Sequence, residues 1–147
     1  MTLIGLDRLG QRVEMRMINP MPPLVLVIDD AAEVRELVGH LLRHAGFRVA
    51  TAPDGFRGFK MAAEAPPDVI VMDFDLPGMD GVEATSHLRR HETTKNIPII
   101  AFTGLSLVPD AARLQARGFC DMVSKSSDDT ELVRAVNRAL NRELPHA

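Results

Sequence analysis

The sequence has few of the residues that build disulfide frameworks, aromatic binding surfaces or membrane spans. Cys120 is its single cysteine, which excludes an internal disulfide and a zinc site built from cysteines. Tryptophan and tyrosine are absent, which argues against an aromatic platform for single-stranded nucleic acid or sugars. No apolar run approaches the roughly 18 residues that span a bilayer. Asp7 and Arg8 interrupt the apolar N-terminus where a signal peptide needs a continuous core, so we expect a soluble, cytoplasmic protein.

The charge balance and composition are those of an ordinary globular chain. The 147 residues include 17 basic and 20 acidic side chains, which gives a net charge of −3 at pH 7. Nucleic-acid-binding proteins usually show a basic excess, so this balance argues weakly against DNA as the main partner. Hydrophobic residues make up 46% and charged residues 25%, which argues against broad disorder. The length fits one domain of about 150 residues.

Residues 1–23 differ from the rest of the chain and are predicted to form an N-terminal extension. Their apolar side chains fall loosely at helical spacing, and the segment ends in a stiff, proline-rich linker at residues 19–23. Two interpretations stay open. The extension is either frayed and loosely packed, or an extra amphipathic helix that packs on the domain or on a second copy. Met17 and Met21 are also candidates for the true start of the protein.

From residue 24 onward, short apolar runs alternate with amphipathic segments. The runs show no in–out alternation, which is typical of strands buried on both faces of a parallel sheet. They cover residues 24–28, 47–51, 69–72, 97–102 and 119–123. Helical patterns separate and follow them, and the clearest is the apolar stripe of Val34, Leu37, Val38, Leu41 and Leu42. Five strands alternating with five helices predict one doubly wound α/β domain over residues 24–147.

Acidic residues near the predicted helix starts resemble capping boxes. In such a box, a side chain at the first position and an acid three residues later satisfy free backbone N–H groups of the first turn. The candidate pairs are Asp30 with Glu33, Asp80 with Glu83, and Asp128 with Glu131.

Polar side chains follow four of the five predicted strands. In open α/β sheets, ligands bind outside the carboxyl ends of the strands, so these side chains are expected to converge. They are Asp29 and Asp30 after the first strand, Asp73 and Asp75 after the third, Thr103 after the fourth and Lys125 after the fifth.

Clustered carboxylates repel one another unless a cation lies between them. Mg²⁺ suits this set, because it binds through a few carboxylates and keeps positions open for water and phosphate oxygens. A lysine and a hydroxyl beside such a metal suit a phosphoryl group. One of the carboxylates can act as a nucleophile and form an acyl phosphate.

Residues 73–81 have the pattern D-x-x-x-P-G-M-D-G, and this segment resembles the phosphoacceptor loop of receiver domains from two-component response regulators. Asp29 and Asp30 match the acidic pair of that family, residues 99–104 match the strand that carries its switch threonine, and Lys125 falls where its lysine is expected. The spacings of 30 residues from Asp73 to Thr103 and of 22 from Thr103 to Lys125 agree with the family. The resemblance covers residues 24 to about 142.

The resemblance implies a flavodoxin-like sheet with strand order 2-1-3-4-5 and phosphoryl transfer to Asp73 from a sensor histidine kinase or a phosphotransfer protein. Asp30 and Asp73 would bind Mg²⁺ directly, Asp29 through water, and Asp75 through its backbone carbonyl. Thr103 and Lys125 would contact the phosphoryl oxygens.

It further implies a bacterial signalling protein that transfers and loses its own phosphoryl group without being a turnover enzyme. Since little chain follows the domain, we expect a stand-alone receiver that signals through protein contacts and not through DNA. A homodimer would form through the fourth helix, fifth strand and fifth helix or through the N-terminal extension. Arg134, Arg138 and Arg142 lie in a row on the last predicted helix, as a solvated face or a docking edge for an acidic partner.

Two residues depart from the family pattern. Ser126 follows Lys125 where the family usually has proline, and Met122 replaces the switch aromatic residue. A non-proline cis bond costs about 3 kcal/mol, so we predict a trans bond before Ser126. Met122 is expected to fill the core without a switching role.

Two functions other than that of a phosphorylated receiver are compatible with parts of this pattern. A degenerate receiver would act as a binding module that is independent of phosphorylation. A haloacid-dehalogenase-type phosphohydrolase fits poorly, because Leu76 and Pro77 follow its D-x-D opening and the acidic pair precedes the nucleophile.

Overall fold

The computed structural model describes residues 2–16, 21–74, 81–104 and 111–143. Its twelve elements begin with a two-stranded antiparallel hairpin and continue as alternating parallel strands and helices. The strands are β1 (Thr2–Leu6), β2 (Arg12–Arg16), β3 (Leu24–Ile28), β4 (Arg48–Ala52), β5 (Val69–Asp73), β6 (Ile99–Thr103) and β7 (Asp121–Ser124). The helices are α1 (Ala32–His44), α2 (Gly55–Glu64), α3 (Gly81–Arg90), α4 (Ala111–Ala116) and α5 (Asp129–Glu143).

The last five strands form one parallel sheet in the order β4-β3-β5-β6-β7. Counted from β3, this is the predicted order 2-1-3-4-5, and a helix follows each of the five strands. The prediction of a doubly wound α/β domain with five strands and five helices is confirmed. No helix within the described ranges combines the length and apolar character that a bilayer span requires.

The hairpin corrects the prediction of an N-terminal amphipathic helix. β1 and β2 pair antiparallel, with Thr2 opposite Arg16 and Leu6 opposite Arg12. They form a two-stranded sheet of their own, separate from the five-stranded one. The helical interpretation is therefore wrong. Met17, one of the two candidate starts, lies outside the described residues.

A tight turn explains why this segment forms strands. The Asp7 carboxylate accepts hydrogen bonds from the backbone N–H groups of Leu9 and Gln11, at 2.9 and 2.8 Å. Gly10 has a φ of 76°, a left-handed conformation that glycine adopts without steric cost. The sequence of Arg12–Arg16 alternates charged and apolar residues, which is the period of two that a strand requires. The loose helical spacing across the turn was therefore misleading.

Two apolar layers cover the two faces of the sheet, and this explains the unbroken apolar runs in the sequence. Alternate residues of each strand point to opposite faces. Leu26, Ile70 and Ile99 pack with α2, α3 and α4 on one face. Val25 and Val71 pack on the other face with α1 and α5. Because both faces are buried, polar residues are excluded from the three inner strands β3, β5 and β6 until their carboxyl ends.

The helix starts follow the capping prediction only in part. The residue that precedes α1 is Ala31, so the expected Asp30–Glu33 box does not form. Instead, Asp29 Oδ1 accepts the Ala31 N–H at 2.9 Å. Because α1 begins only at Ala32, Asp30 remains exposed at the sheet edge.

Asp128 does cap α5, because its carboxylate accepts the N–H groups of Thr130 and Glu131 at 3.0 and 3.2 Å. The third predicted pair includes Asp80, which lies outside the described residues.

Candidate functional site

The carboxyl ends of β3, β5, β6 and β7 bring four predicted polar residues to one edge of the sheet. Asp29 directly follows β3, Asp73 ends β5, Thr103 ends β6 and Lys125 directly follows β7. Asp29, Asp73 and Thr103 are buried, with exposed fractions of 1%, 5% and 2%. Charged and polar groups this deep are costly unless each has a partner. The predicted convergence of these residues is therefore present in the structure.

Lys125 is the cationic partner of the two buried carboxylates. Its Nζ lies 2.9 Å from Asp29 Oδ2 and 3.4 Å from Asp73 Oδ2. The same ammonium lies over the ring of Phe102, 5.7 Å from its centroid. Burial lowers the pKa of Lys125, but the close contact of its ammonium with the Asp29 carboxylate and the charges of Asp73 and Asp29 outweigh this effect. The pKa of Lys125 is raised as a result, so the lysine stays protonated at neutral pH.

Backbone contacts fix the position of Asp29. Its N–H donates to the Ala52 carbonyl at 3.1 Å, which ties the residue to the end of β4. Its carbonyl accepts a hydrogen bond from Arg35 Nη1 at 2.7 Å, and its Oδ1 accepts the Ala31 N–H. Sequence reasoning missed Arg35. The only available signal was its place in the first turn of the helix that follows the acidic pair.

Three carboxylates form the one group of potential metal ligands found in the described part of the chain. One oxygen each from Asp29, Asp30 and Asp73 lies within 4.8 Å of the others. The three carboxylates carry three negative charges, and Lys125 offsets one of them, so the cluster keeps an excess of two negative charges. Asp29 Oδ2 accepts no hydrogen bond of good geometry from the described residues, so its contact with Lys125 is a charge–charge contact. Hard oxygen ligands, an excess of two negative charges and an incompletely satisfied buried oxygen fit a divalent cation such as Mg²⁺. Asp75 lies outside the described residues.

The loop after β7 positions Lys125 without a proline. The Lys125 N–H donates to the Thr103 carbonyl at 2.7 Å, which extends the β6–β7 ladder by one bond. We call Ser124 and Ser126 the serine pair, because their Oγ atoms lie 2.8 Å apart. The Ser126 N–H also donates to Ser124 Oγ, at 3.2 Å. The peptide bond before Ser126 is trans, as predicted.

Met122 lies on β7 and packs, partly buried, against the core layer that also contains Phe119. Phe119 is 2% exposed, and its ring centroid lies 5.8 Å from that of Phe74, the residue after Asp73. These positions are compatible with the predicted role of Met122 as a core filler. Arg138, in the predicted basic row, forms ion pairs with Asp121 and Glu131 at 3.0 and 3.3 Å. Arg138 is therefore already paired with acidic residues of its own domain, and its charge is not free to bind an acidic partner.

Comparison with known proteins identifies the family to which this domain belongs. Residues 25–137 match the model of the response regulator receiver domain. The chain belongs to the receiver domain family. Receiver domains of response regulators take part in two-component signalling, where they accept a phosphoryl group. This family membership confirms the resemblance drawn from residues 73–81.

Relatives of this receiver include longer transcription regulators. The transcriptional regulator RpaA of Synechocystis is 35% identical over 127 residues, which cover 85% of this chain and 53% of RpaA. PhoB of Escherichia coli is 32% identical over 123 residues, which cover 84% of this chain and 54% of PhoB. The chain thus spans about half the length of the curated relatives it matches.

Solved receiver structures resemble this one along nearly their whole length. The chemotaxis response regulator CheY4 of Vibrio cholerae superposes with a TM-score of 0.73 at 30% identity, covering 81% of this chain and 99% of CheY4. The receiver domain of a Pseudomonas aeruginosa sensor histidine kinase gives a TM-score of 0.74 at 30% identity, covering 82% of this chain and 98% of that domain. That second structure has a magnesium ion coordinated in its active-site cleft.

Proposed function

We propose that this receiver accepts a phosphoryl group on Asp73 in a Mg²⁺-dependent reaction. The observation that carries the proposal is the position of Lys125 Nζ, 3.4 Å from Asp73 Oδ2 and 2.9 Å from Asp29 Oδ2. An ammonium at that point can approach both the nucleophile and the phosphoryl oxygens of a bound donor. The neighbouring carboxylates provide the divalent cation site that phosphoryl transfer requires.

In the proposed reaction, a carboxylate oxygen of Asp73 attacks the phosphorus atom of a phosphohistidine. A P–O bond forms, the P–N bond breaks, and its electron pair returns to the imidazole of the donor. The product is an acyl phosphate on Asp73. Lys125 and the Thr103 hydroxyl stabilise the negative charge on the transferred phosphoryl oxygens. The receiver performs one transfer and one hydrolysis on itself, so we do not propose a turnover enzyme.

The carboxylates of Asp30 and Asp73 would hold Mg²⁺ directly, and Asp29 would contact it through water. Asp29 suits this indirect role, because Ala31 and Lys125 already contact its two oxygens. Asp30 is exposed at the edge and suits direct coordination. The fourth proposed ligand is the backbone carbonyl of Asp75. The metal would neutralise the phosphoryl charge that the carboxylates otherwise repel.

The proposed donor is a sensor histidine kinase or a phosphotransfer protein, and the proposed output is a contact with another protein. Two-component relatives include CqsS of Vibrio cholerae, described as an autoinducer sensor kinase and phosphatase, which is 34% identical over 113 residues. RpaA is described as DNA-binding, but the acidic balance of this chain does not favour such a role for the receiver itself. A homodimer through α4, β7 and α5 or through the hairpin stays a prediction.

Intact-protein mass spectrometry after incubation with acetyl phosphate tests this function. We expect one phosphoryl group per chain with Mg²⁺, and none when Mg²⁺ is removed by EDTA. Asp73→Asn should abolish labelling, whereas Asp129→Asn, an exposed position at the start of α5, should leave it unchanged.

Labelling that persists in Asp73→Asn would place the acceptor elsewhere. A folded chain that resists both acetyl phosphate and a panel of phosphorylated kinases would instead support the degenerate binding module.

A further inference from the structure

A second charged site lies between α3 and α4 and shares no lining residue with the phosphoacceptor edge. Arg89, Arg90 and Arg117 line a cavity of 390 Å³ there, together with Ser86 and Gln115. We call this cavity the arginine groove. It contains no acidic lining residue. Its volume falls within the range of small-molecule sites, about 300–1,000 Å³.

Arg89 forms the fixed floor of the arginine groove. It is partly buried, and its guanidinium donates to the backbone carbonyls of Lys95, Ile97 and Gly118 at 2.8, 2.7 and 2.7 Å. These three bonds connect the loop after α3 to the loop after α4. All three acceptors are neutral, so they orient the guanidinium without cancelling its charge.

Arg90 and Arg117 are exposed and supply the adaptable part of the groove. The Arg90 Nε–H donates to the Ser86 carbonyl at 3.3 Å, and the Arg117 guanidinium carbon lies 6.0 Å from the centroid of the Phe74 ring. Neither contact involves a carboxylate. Among the described residues, neither arginine forms an ion pair, and the same holds for Arg89.

The helix ends offset only part of this positive charge. Arginines near helix carboxyl ends commonly balance the helix dipole, and each such end carries roughly half a negative charge. The ends of α3 and α4 therefore contribute about one negative charge against three guanidinium groups. About two positive charges remain without a counterpart in one cavity. A cluster of one sign of charge in a cleft raises the local concentration of counter-ions, so this excess favours an anion.

We propose that the arginine groove binds a small ligand that carries a diphosphate group. A diphosphate brings two to three negative charges, which matches the excess. Its adjacent phosphates can accept paired N–H bonds from the planar forks of Arg90 and Arg117 while Arg89 stays fixed. The Ser86 hydroxyl and the Gln115 amide are further donors at the rim. A single phosphate would leave one of the two exposed guanidinium groups without a hydrogen-bond acceptor.

Titration of the full chain with inorganic pyrophosphate in EDTA, followed by amide NMR, tests this site directly. EDTA keeps the Asp29–Asp30–Asp73 cluster without Mg²⁺, so its net negative charge disfavours the anion there. We expect saturable shifts in the amides of residues 86–90 and 115–118. The double variant Arg90→Gln, Arg117→Gln should weaken binding by about tenfold or more, because each fork contributes charge-assisted bonds. Arg134→Gln, at an exposed position on α5, should bind as the unaltered chain does.

Four results would overturn the proposal. Shifts that are non-saturable and reproduced by sodium chloride at equal ionic strength would mean charge screening only. Equal affinity in the double variant would place the anion elsewhere, and so would shifts centred on Lys125. Orthophosphate that binds as tightly as pyrophosphate would reject the diphosphate assignment. None of these readouts depends on whether Asp73 is phosphorylated.

Discussion

Replacing Lys125 with methionine removes a positive charge that contacts both buried carboxylates, Asp29 and Asp73. Methionine keeps a similar length and can still pack against Phe102, so the change is mainly electrostatic. At an effective dielectric constant of about 20, each contact of the ammonium with Asp29 or Asp73 corresponds to roughly 5–6 kcal/mol of Coulomb attraction. Most of this offsets the cost of burying the charges.

The net loss on removing Lys125 is expected to be about 2–4 kcal/mol. Removing one partner of a buried ion pair typically costs about 3–5 kcal/mol, because the other charge stays buried without compensation. The Lys125 side chain is 26% exposed, so water replaces part of what is lost. Lys95 offers a matched control, since its pair with Glu92 has the same close approach of 3.0 Å but both side chains are exposed. Lys95→Met should cost at most about 1 kcal/mol.

Urea unfolding measures the stability cost of both substitutions, and repeating it with Mg²⁺ measures how far the metal replaces the missing lysine charge. Lysine and Mg²⁺ compete for the same carboxylates, so Mg²⁺ should stabilise the Lys125→Met variant more than the unaltered chain. The stability gap then narrows by about 1.4 kcal/mol for each tenfold gain in Mg²⁺ affinity. Equal costs for Lys125→Met and Lys95→Met, or an identical Mg²⁺ effect on both chains, would refute the role assigned to Lys125.

Three further predictions follow from the same contacts. The pKa of Lys125 is raised above its ordinary 10.5, so the stability gap to Lys125→Met should persist below that pH and shrink as the pH rises beyond it, as pH-dependent unfolding would show. Ser126→Ala should slow phosphorylation by acetyl phosphate, with Ser126→Thr restoring the rate; unchanged rates would show that the serine pair does not position the lysine. Gly58→Ala should cost about 1–3 kcal/mol, because its new methyl group would overlap the Ile28 side chain. Gly39→Ala, whose one tight contact would be the flexible end of Arg43 at 3.3 Å, should be nearly neutral, and thermal unfolding of both variants measures the difference.

The sheet and its polar edge were predictable from the sequence because burial on both faces leaves a simple signal. Each inner strand must be apolar throughout, so the first charged residue after it marks the carboxyl end. Asp29 and Asp73 stand out for that reason. The site roles of Asp30, Thr103 and Lys125 rest on the same placement and stay predictions until labelling is measured.

The contacts around the site were less predictable because they depend on side-chain direction. Asp30 could have capped α1, but the helix begins only at Ala32, and it is Asp29 that accepts a hydrogen bond from the Ala31 N–H. Nothing in the local sequence distinguishes these outcomes, since adjacent acids share the same capping chemistry. The helical interpretation of residues 1–23 was wrong for another reason. The turn of the hairpin depends on Asp7 and Gly10. The apolar residues at helical spacing lie on both sides of this turn, so their spacing does not reflect a continuous helix.

The assembly of the polar edge from distant strands has a consequence for when this protein can signal. Asp29 precedes Asp73 by 44 residues, and Lys125 follows it by 52. A partly folded chain therefore lacks the assembled polar edge, and a one-residue slip in any inner strand would turn its terminal side chain toward the opposite face. If Asp73 is the acceptor proposed above, an incompletely folded copy would therefore not be phosphorylated, because only the completed sheet brings Asp29, Asp73 and Lys125 together.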